Sequence, residues 1–251
     1  MSSEKDSSAA ARINGHVLII VMVSANSRPS AEKLDIRTTQ QGVSGSGKST
    51  LGAALAKALG CPFVDADDLH PQTNVEKMSR GEPLTDADRA PWLVNVRKTA
   101  LKVAESDSHD DTAGVVVACS ALKIRYREVL RGKVAEPDLF DPVVGCGASD
   151  SGFGNAHVEG KQDVQRGSTA PSTWRTFFVH PDGPREVLLE RMMKRNSHFM
   201  KANMLASQLE SLESPSGTGE INVVGIELIS RVEEQVERAL EGLAGAGACE
   251  I

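Results

Sequence analysis

The sequence predicts an α/β fold, a five-stranded parallel sheet with helices on both faces, on three observations. Five short, largely apolar runs occur at residues 16–22, 62–65, 114–119, 176–179 and 221–226. Strands covered on both faces read in this way, whereas half-solvated strands alternate. Stretches of helical character separate the runs, which argues for parallel strands joined by crossovers. Between the first run and the helix after it stands Gly42-Val43-Ser44-Gly45-Ser46-Gly47-Lys48-Ser49-Thr50, which fits G-x-x-x-x-G-K-[ST] at every required position. This reads as a P-loop, a phosphate cradle set between a strand and a helix.

Taken in order, residues 1–15 are rich in Ser, Ala and charge and read as a flexible tail. Residues 16–22 form the first strand. Residues 23–41 are polar and interrupt the join between that strand and the first glycine, where a P-loop protein has none. They read as an exposed insertion; their Val-Ser start and Gln end are encodable as the borders of a retained in-frame intron. A helix runs from the P-loop to about Leu59, followed by the second strand and polar helices at 74–79 and 90–104. The third strand leads into a basic helix at 123–131. Residues 132–172 are Gly/Ser/Asp-rich without periodicity, too long for an ordinary connection, and read as a second insertion. Then come the fourth strand, helices at 184–195 and 204–212, and the fifth strand. An amphipathic helix at 228–243 carries Ile229, Val232, Val236, Leu240 and Leu243 at spacings of three and four, and residues 244–251 read as a second tail. Residues 16–243 thus make one domain with two insertions.

Bulk properties narrow the function. At 251 residues and 40% hydrophobic the chain buries one sizeable core, and its net charge of −6 argues against a general nucleic-acid or membrane-surface binder. The longest apolar run is far shorter than the about 20 residues of a membrane span, and the polar start lacks a signal-peptide layout, so a cytoplasmic protein is expected. Cys61, Cys119, Cys146 and Cys249 are widely spaced, which suits reduced thiols better than disulfides or zinc.

The glycines of the P-loop let the backbone turn N–H groups toward one phosphate, and the following helix adds its positive end. Gly42, Ser44, Gly45, Ser46, Gly47 and Thr50 are the expected nucleotide cradle, Lys48 the cation on the β- and γ-phosphates of ATP, and Ser49 a ligand of the bridging Mg²⁺. After the second strand Asp65, Asp67 and Asp68 stand within four positions, followed by His70. One carboxylate there can orient the magnesium shell and another accept a proton from an attacking hydroxyl; an acidic cap on the next helix is the competing reading. His70 is a candidate substrate contact or a satisfied turn residue.

Five ordered segments sharpen this. They are Asp65-Ala66-Asp67-Asp68-Leu69-His70-Pro71; Asn74-Val75-Glu76-Lys77-Met78; Pro83-Leu84-Thr85-Asp86-Ala87-Asp88-Arg89-Ala90-Pro91-Trp92-Leu93; Ala118-Cys119-Ser120-Ala121-Leu122-Lys123 with Tyr126-Arg127; and His198-Phe199-Met200. Behind a P-loop they resemble the gluconokinase family over most of the chain outside the tails and insertions. The resemblance implies a three-layer, shikimate-kinase-like P-loop kinase fold with residues 16–243 as its single kinase domain, and phosphorylation of D-gluconate at its 6-hydroxyl with ATP and Mg²⁺; it admits a homodimer. By matching position it makes Asp67 the residue that holds and deprotonates the hydroxyl, and Asp65 the one near the metal. Arg89 becomes the grip on the gluconate carboxylate, unless it pairs with Asp86 or Asp88 on the helix surface. Ser120, Lys123 and Arg127 are expected around the sugar acid, a solvated basic face being the alternative for Arg127. The segment holding Arg191 and Arg195 resembles a lid, Arg195 reaching the γ-phosphate and Arg191 the adenine, although Asn196-Ser197 departs from the family's Lys-Gly. Two alternatives stand beside this reading: a kinase of the same fold for another small acceptor, and a nucleotide-binding protein impaired by residues 23–41.

Overall fold

The computed structural model describes residues 11–22, 24–26, 47–108, 112–134, 174–184, 186–187, 211–215 and 218–251. Gly42, Ser44, Gly45, Ser46, Arg191, Arg195 and Cys146, with nearly all of the second insertion, lie outside the described residues. The described elements are β1 (Arg12–Ile13), β2 (His16–Val21), β3 (Ser24–Asn26), α1 (Lys48–Leu59), β4 (Phe63–Asp65), a 3₁₀ turn (Ala66–Leu69), α2 (Gln72–Ser79) and α3 (Asp86–Ser106). They continue with β5 (Ala113–Ala118), α4 (Ile124–Arg131), β6 (Arg175–Pro184), β7 (Val223–Glu227), α5 (Val232–Gly245) and β8 (Cys249–Glu250).

β2 lies between β5 and β6, with β4 outside β5 and β7 outside β6, all parallel. The five predicted strands are thus all present, in the order β4-β5-β2-β6-β7. β3 is not a sixth lane. Val21 stands opposite Val179 and Ser24 opposite Asp182, the same offset along β6, so β3 prolongs β2 past its break at Met22. The first residues of the expected exposed insertion are therefore part of the sheet.

Alternate residues of each strand face opposite sides. Leu18, Ile20, Val115, Val117 and Phe178 pack with Trp92, Leu93 and Val96 of α3 and Leu130 of α4, all buried. Val17, Ile19, Val21, Val116, Phe177 and Val179 pack with Leu51 and Leu55 of α1 and Ala239 and Leu243 of α5. Continuous apolar strands follow from this double cover.

Both tails differ from the sequence expectation. β1 and β8 pair antiparallel, Arg12 opposite Glu250, and Asn14 N–H donates to the Ala248 carbonyl at 2.9 Å. Gly247, at φ 78°, turns the chain after α5 so that Ala248 and Cys249 enter the core. A two-residue apolar step has no periodicity to announce it. α3 begins ahead of the expected Ala90, because Thr85 and Asp88 form a reciprocal capping box. Pro184, expected to open a helix, is the last residue of β6 and stands opposite Asn26. Cys61, Cys119 and Cys249 are unbridged, as expected.

α3 is fixed against the strand edge by Trp92, whose Nε1–H donates to the Ala66 carbonyl at 2.8 Å and whose side chain is buried. Trp92→Phe keeps a ring but leaves that carbonyl without its donor. The expected loss is about 1–3 kcal/mol, read as a lower Tm by thermal unfolding; an unchanged Tm would show that the bond contributes nothing.

Candidate active site

β2, β5 and β4 end level: Val21 and Asp65 both stand opposite Ala118, and Cys119 N–H donates to the Val21 carbonyl at 3.1 Å. In an open parallel sheet, ligands bind beyond this carboxyl edge, and of the expected site residues Asp65 ends β4 there, with Asp67 and Ser120 in the segments that follow β4 and β5. Gly47 takes φ 91° immediately before α1, a left-handed conformation suited to glycine, and Lys48, Ser49 and Thr50 make the first turn. Ser49 Oγ donates to Asp65 Oδ2 at 2.6 Å, while Asp65 Oδ1 accepts the backbone N–H of Asp67 at 3.0 Å. Asp65 therefore caps the 3₁₀ turn and ties it to the helix behind the P-loop. The capping reading of this aspartate therefore holds, and the same carboxylate faces the first turn of α1. Asp67 and Asp68 are exposed on that turn.

Cys119 is buried at the end of β5, and burial, with Asp67 adding to it, pushes the thiol up to about 12 against the backbone hydrogen bond of Ala121 and the charges of Lys48 and Arg89. Three charges carried by three separate segments thus bear on one point at the strand edge. His70 stacks on Trp92 with ring centroids 4.1 Å apart and an interplanar angle of 12°. Burial lowers its pKa, Asp67 opposing and Arg89 reinforcing the shift. His70 does not line the cavity described next, and its Nδ1 has no partner among the described residues.

A cavity of about 300 Å³ opens beside α3 and α4, with Thr85, Asp86, Arg89, Lys123, Tyr126 and Ser211 on its wall and Leu84 and Leu122 as its apolar part. The two carboxylates that could have occupied Arg89 are engaged elsewhere. Asp88 accepts from Thr85 and, at 2.6 Å, from Lys77. Asp86 accepts from Lys123 at 2.9 and 3.0 Å, from Arg125 at 2.9 Å and from the Tyr126 hydroxyl. Burial alone would raise Asp86; the hydrogen bonds from Tyr126 and Lys123 and the charge of Arg125 outweigh it and hold the carboxylate below its usual range. Burial and Asp86 push the Tyr126 phenol up, so it remains a donor. Among the described residues no carboxylate pairs with Arg89, whose Nε–H donates to the Leu84 carbonyl at 3.4 Å.

Arg127 is a correction. The sequence expectation set it beside Lys123 facing the acceptor, with a solvated face as the alternative, and neither holds. Its side chain is fully buried and forks onto Glu220, with Nη2 to Oε1 at 2.6 Å and Nε to Oε2 at 2.9 Å. The position four residues after Lys123 on a helix that starts between them points inward. Burial would raise Glu220, but hydrogen bonds from Arg127 and Arg131 overcome it and hold the carboxyl at about 2. Ser120 is half-buried in the loop after β5 and off the cavity wall; its neighbour Ala121 takes φ 28°, a left-handed conformation costing about 1–3 kcal/mol for a residue with a Cβ.

Sequence reasoning missed Asp86, Tyr126 and Ser211 as cavity residues, and Glu213 and Glu220 altogether. The Thr85-Asp86-Ala87-Asp88 capping signature was the legible clue for Asp86, since it fixes which helical face Arg89 shares. Nothing local marks Glu220, whose partners lie 89 and 93 positions away.

Donor chemistry fits a divalent cation of the Mg²⁺ kind. Ser49 and Asp65 offer hard oxygens at hydrogen-bond distance, and Mg²⁺ is usually held by one or two protein oxygens with the remainder from phosphate and water. No described helix is long and apolar enough to cross a membrane.

The shikimate kinase family model matches residues 44–132. A probable gluconokinase of Xenopus tropicalis is 35% identical over 204 residues, covering 79% of this chain and 92% of the relative. A gluconokinase of Gluconobacter oxydans strain 621H is 40% identical over 174 residues, covering 69% and 73%. Among solved structures, a gluconokinase from Sinorhizobium meliloti 1021 aligns with a TM-score of 0.58 at 35% identity, over 93% of this chain and 94% of that one.

Proposed function

This chain belongs to the gluconokinase family, and from that premise we propose that it transfers the γ-phosphoryl group of ATP to the 6-hydroxyl of D-gluconate. The observation that carries the reading is the cavity beside the carboxylate edge in which Arg89 has both neighbouring aspartates drawn away from it. A guanidinium so placed matches a carboxylate with two parallel hydrogen bonds.

In this reading Lys48 meets the β- and γ-phosphates at the start of α1, and Asp67 accepts the proton of the attacking hydroxyl. Ser49 and Asp65 would hold Mg²⁺, which when bound would neutralise charge on the phosphate oxygens. Lys123 and Tyr126 fix Asp86 and with it the polar wall of the acceptor cavity. Arg195 and Arg191 keep their expected roles at the γ-phosphate and adenine. The reading takes the cytoplasm as the compartment. ADP release measured with D-gluconate, shikimate and nucleoside monophosphates in parallel tests it: turnover confined to gluconate is the expected result, and preference for either other acceptor class overturns the assignment.

Arg89→Lys keeps the charge and loses the fork. The KM for gluconate should rise about tenfold or more, the loss of one charge-assisted hydrogen bond, with the KM for ATP within about twofold. Equal changes in both would point to a role in folding α3 instead.

A further inference from the structure

The loop after β5 has its carbonyls bound from outside the loop. Arg127 Nη1 donates to the Ala121 carbonyl at 3.0 Å and to that of Leu122 at 3.4 Å, while its other nitrogens grip Glu220. Glu220 is also held by Arg131 Nη1 at 2.9 Å, and Arg131 Nη2 donates to the Ile221 carbonyl at 3.2 Å. A second attachment comes from Glu213, whose backbone N–H donates to the Leu122 carbonyl at 2.8 Å and whose Oε2 accepts the Ile124 N–H at 2.6 Å. The Glu213 carboxylate thus caps α4, whose own N-cap residue, Lys123, supplies no side-chain cap.

We infer that Glu213 and the Arg127–Glu220 pair form a two-point clamp that positions the acceptor loop, setting Leu122, Lys123 and Tyr126 for substrate without touching it. The inference rests on the reading of the cavity as the acceptor site. Its physical ground is the combination of Ala121 at φ 28° with carbonyls at 121 and 122 fixed by a buried guanidinium. A left-handed alanine relaxes unless its surroundings hold it. A buried ion pair contributes little net stability once desolvation is counted, so what it supplies is geometry. Both attachments converge on residues 121–124, and two of these, Leu122 and Lys123, line the cavity together with Ser211, two positions before Glu213.

Two variants of the full chain test the clamp. Glu213→Ala removes an exposed side chain and is expected to fold as wild type; Arg127→Lys keeps the buried charge and loses the fork onto the loop. Hydrogen exchange of the amides at 121–124 should speed up about tenfold in each, with the amides of α1 unchanged. The KM for gluconate should rise about fivefold in Glu213→Ala and more in Arg127→Lys, the KM for ATP staying within about twofold. Unchanged exchange at 121–124 in Glu213→Ala, or equal increases in both KM values, overturns the proposal; Glu213→Ala decides it even if Arg127→Lys fails to fold. Exchange reports the clamp whichever acceptor the enzyme uses, so a wild type inactive on gluconate would remove the substrate assignment and leave the loop result standing.

Discussion

Asp67→Asn is expected to lower kcat about 10²–10⁴-fold, the contribution of a positioned general base, while ATP affinity and Tm stay near wild type. The separation follows from how the 3₁₀ turn is built. It is the backbone N–H of Asp67, not its carboxylate, that bonds Asp65 Oδ1, so an asparagine leaves the Ser49–Asp65–Asp67 link in place. The side chain is exposed on the turn and belongs to no described ion pair. Asn offers an amide of the same shape that cannot take a proton at neutral pH. Lys48→Ala should behave differently, losing ATP affinity as well as turnover, because in the proposed function its charge meets the nucleotide itself. Full gluconate turnover in Asp67→Asn would remove that residue from the mechanism.

The sheet and the phosphate edge were legible because they rest on local signals. Buried strand stretches such as 17–21 and 113–118 are apolar without a break, and the glycine-lysine-serine run needs only its own spacing. Arg89 was legible as a candidate but not as an available one, since only the fold shows Asp86 drawn to Lys123, Arg125 and Tyr126 and Asp88 drawn to Lys77. Arg127 was misplaced for the converse reason. A basic helix face reads as solvent-facing until a carboxylate 93 positions away turns out to be buried against it. The paired tails escape for a similar reason: Ile13 and Cys249 stand opposite each other from the two ends of the chain. Local periodicity reports which face is apolar, and it is silent on which distant charge will neutralise a cation.

Deleting residues 23–41 is expected to raise kcat and tighten ATP binding relative to the full chain. The level strand ends define where the phosphate loop has to begin, because Ser49 must come within 2.6 Å of Asp65, in the same row as Val21 and Ala118. A direct join of Met22 to Gly42 delivers the first glycine at that row. Here the chain instead continues as β3 alongside Asp182, Gly183 and Pro184, roughly 10 Å farther at about 3.3 Å per residue, and has to come back before Lys48. Closing a loop of this length costs only about 2–3 kcal/mol, so the sheet tolerates it, as the preserved register of β3 on β6 shows. Rate is more sensitive than stability to such a detour, since displacing phosphate donors by about 1 Å costs on the order of 100-fold. The deletion also removes β3 and leaves the end of β6 without that neighbour, so its effect on Tm should be small and of either sign. Kinetics of the two proteins, side by side at saturating Mg²⁺ and gluconate, decide the matter: equal kcat and equal ATP affinity would make the insertion a harmless extension of the central strand, whereas a gain in both identifies it as the element that holds the phosphate loop out of place.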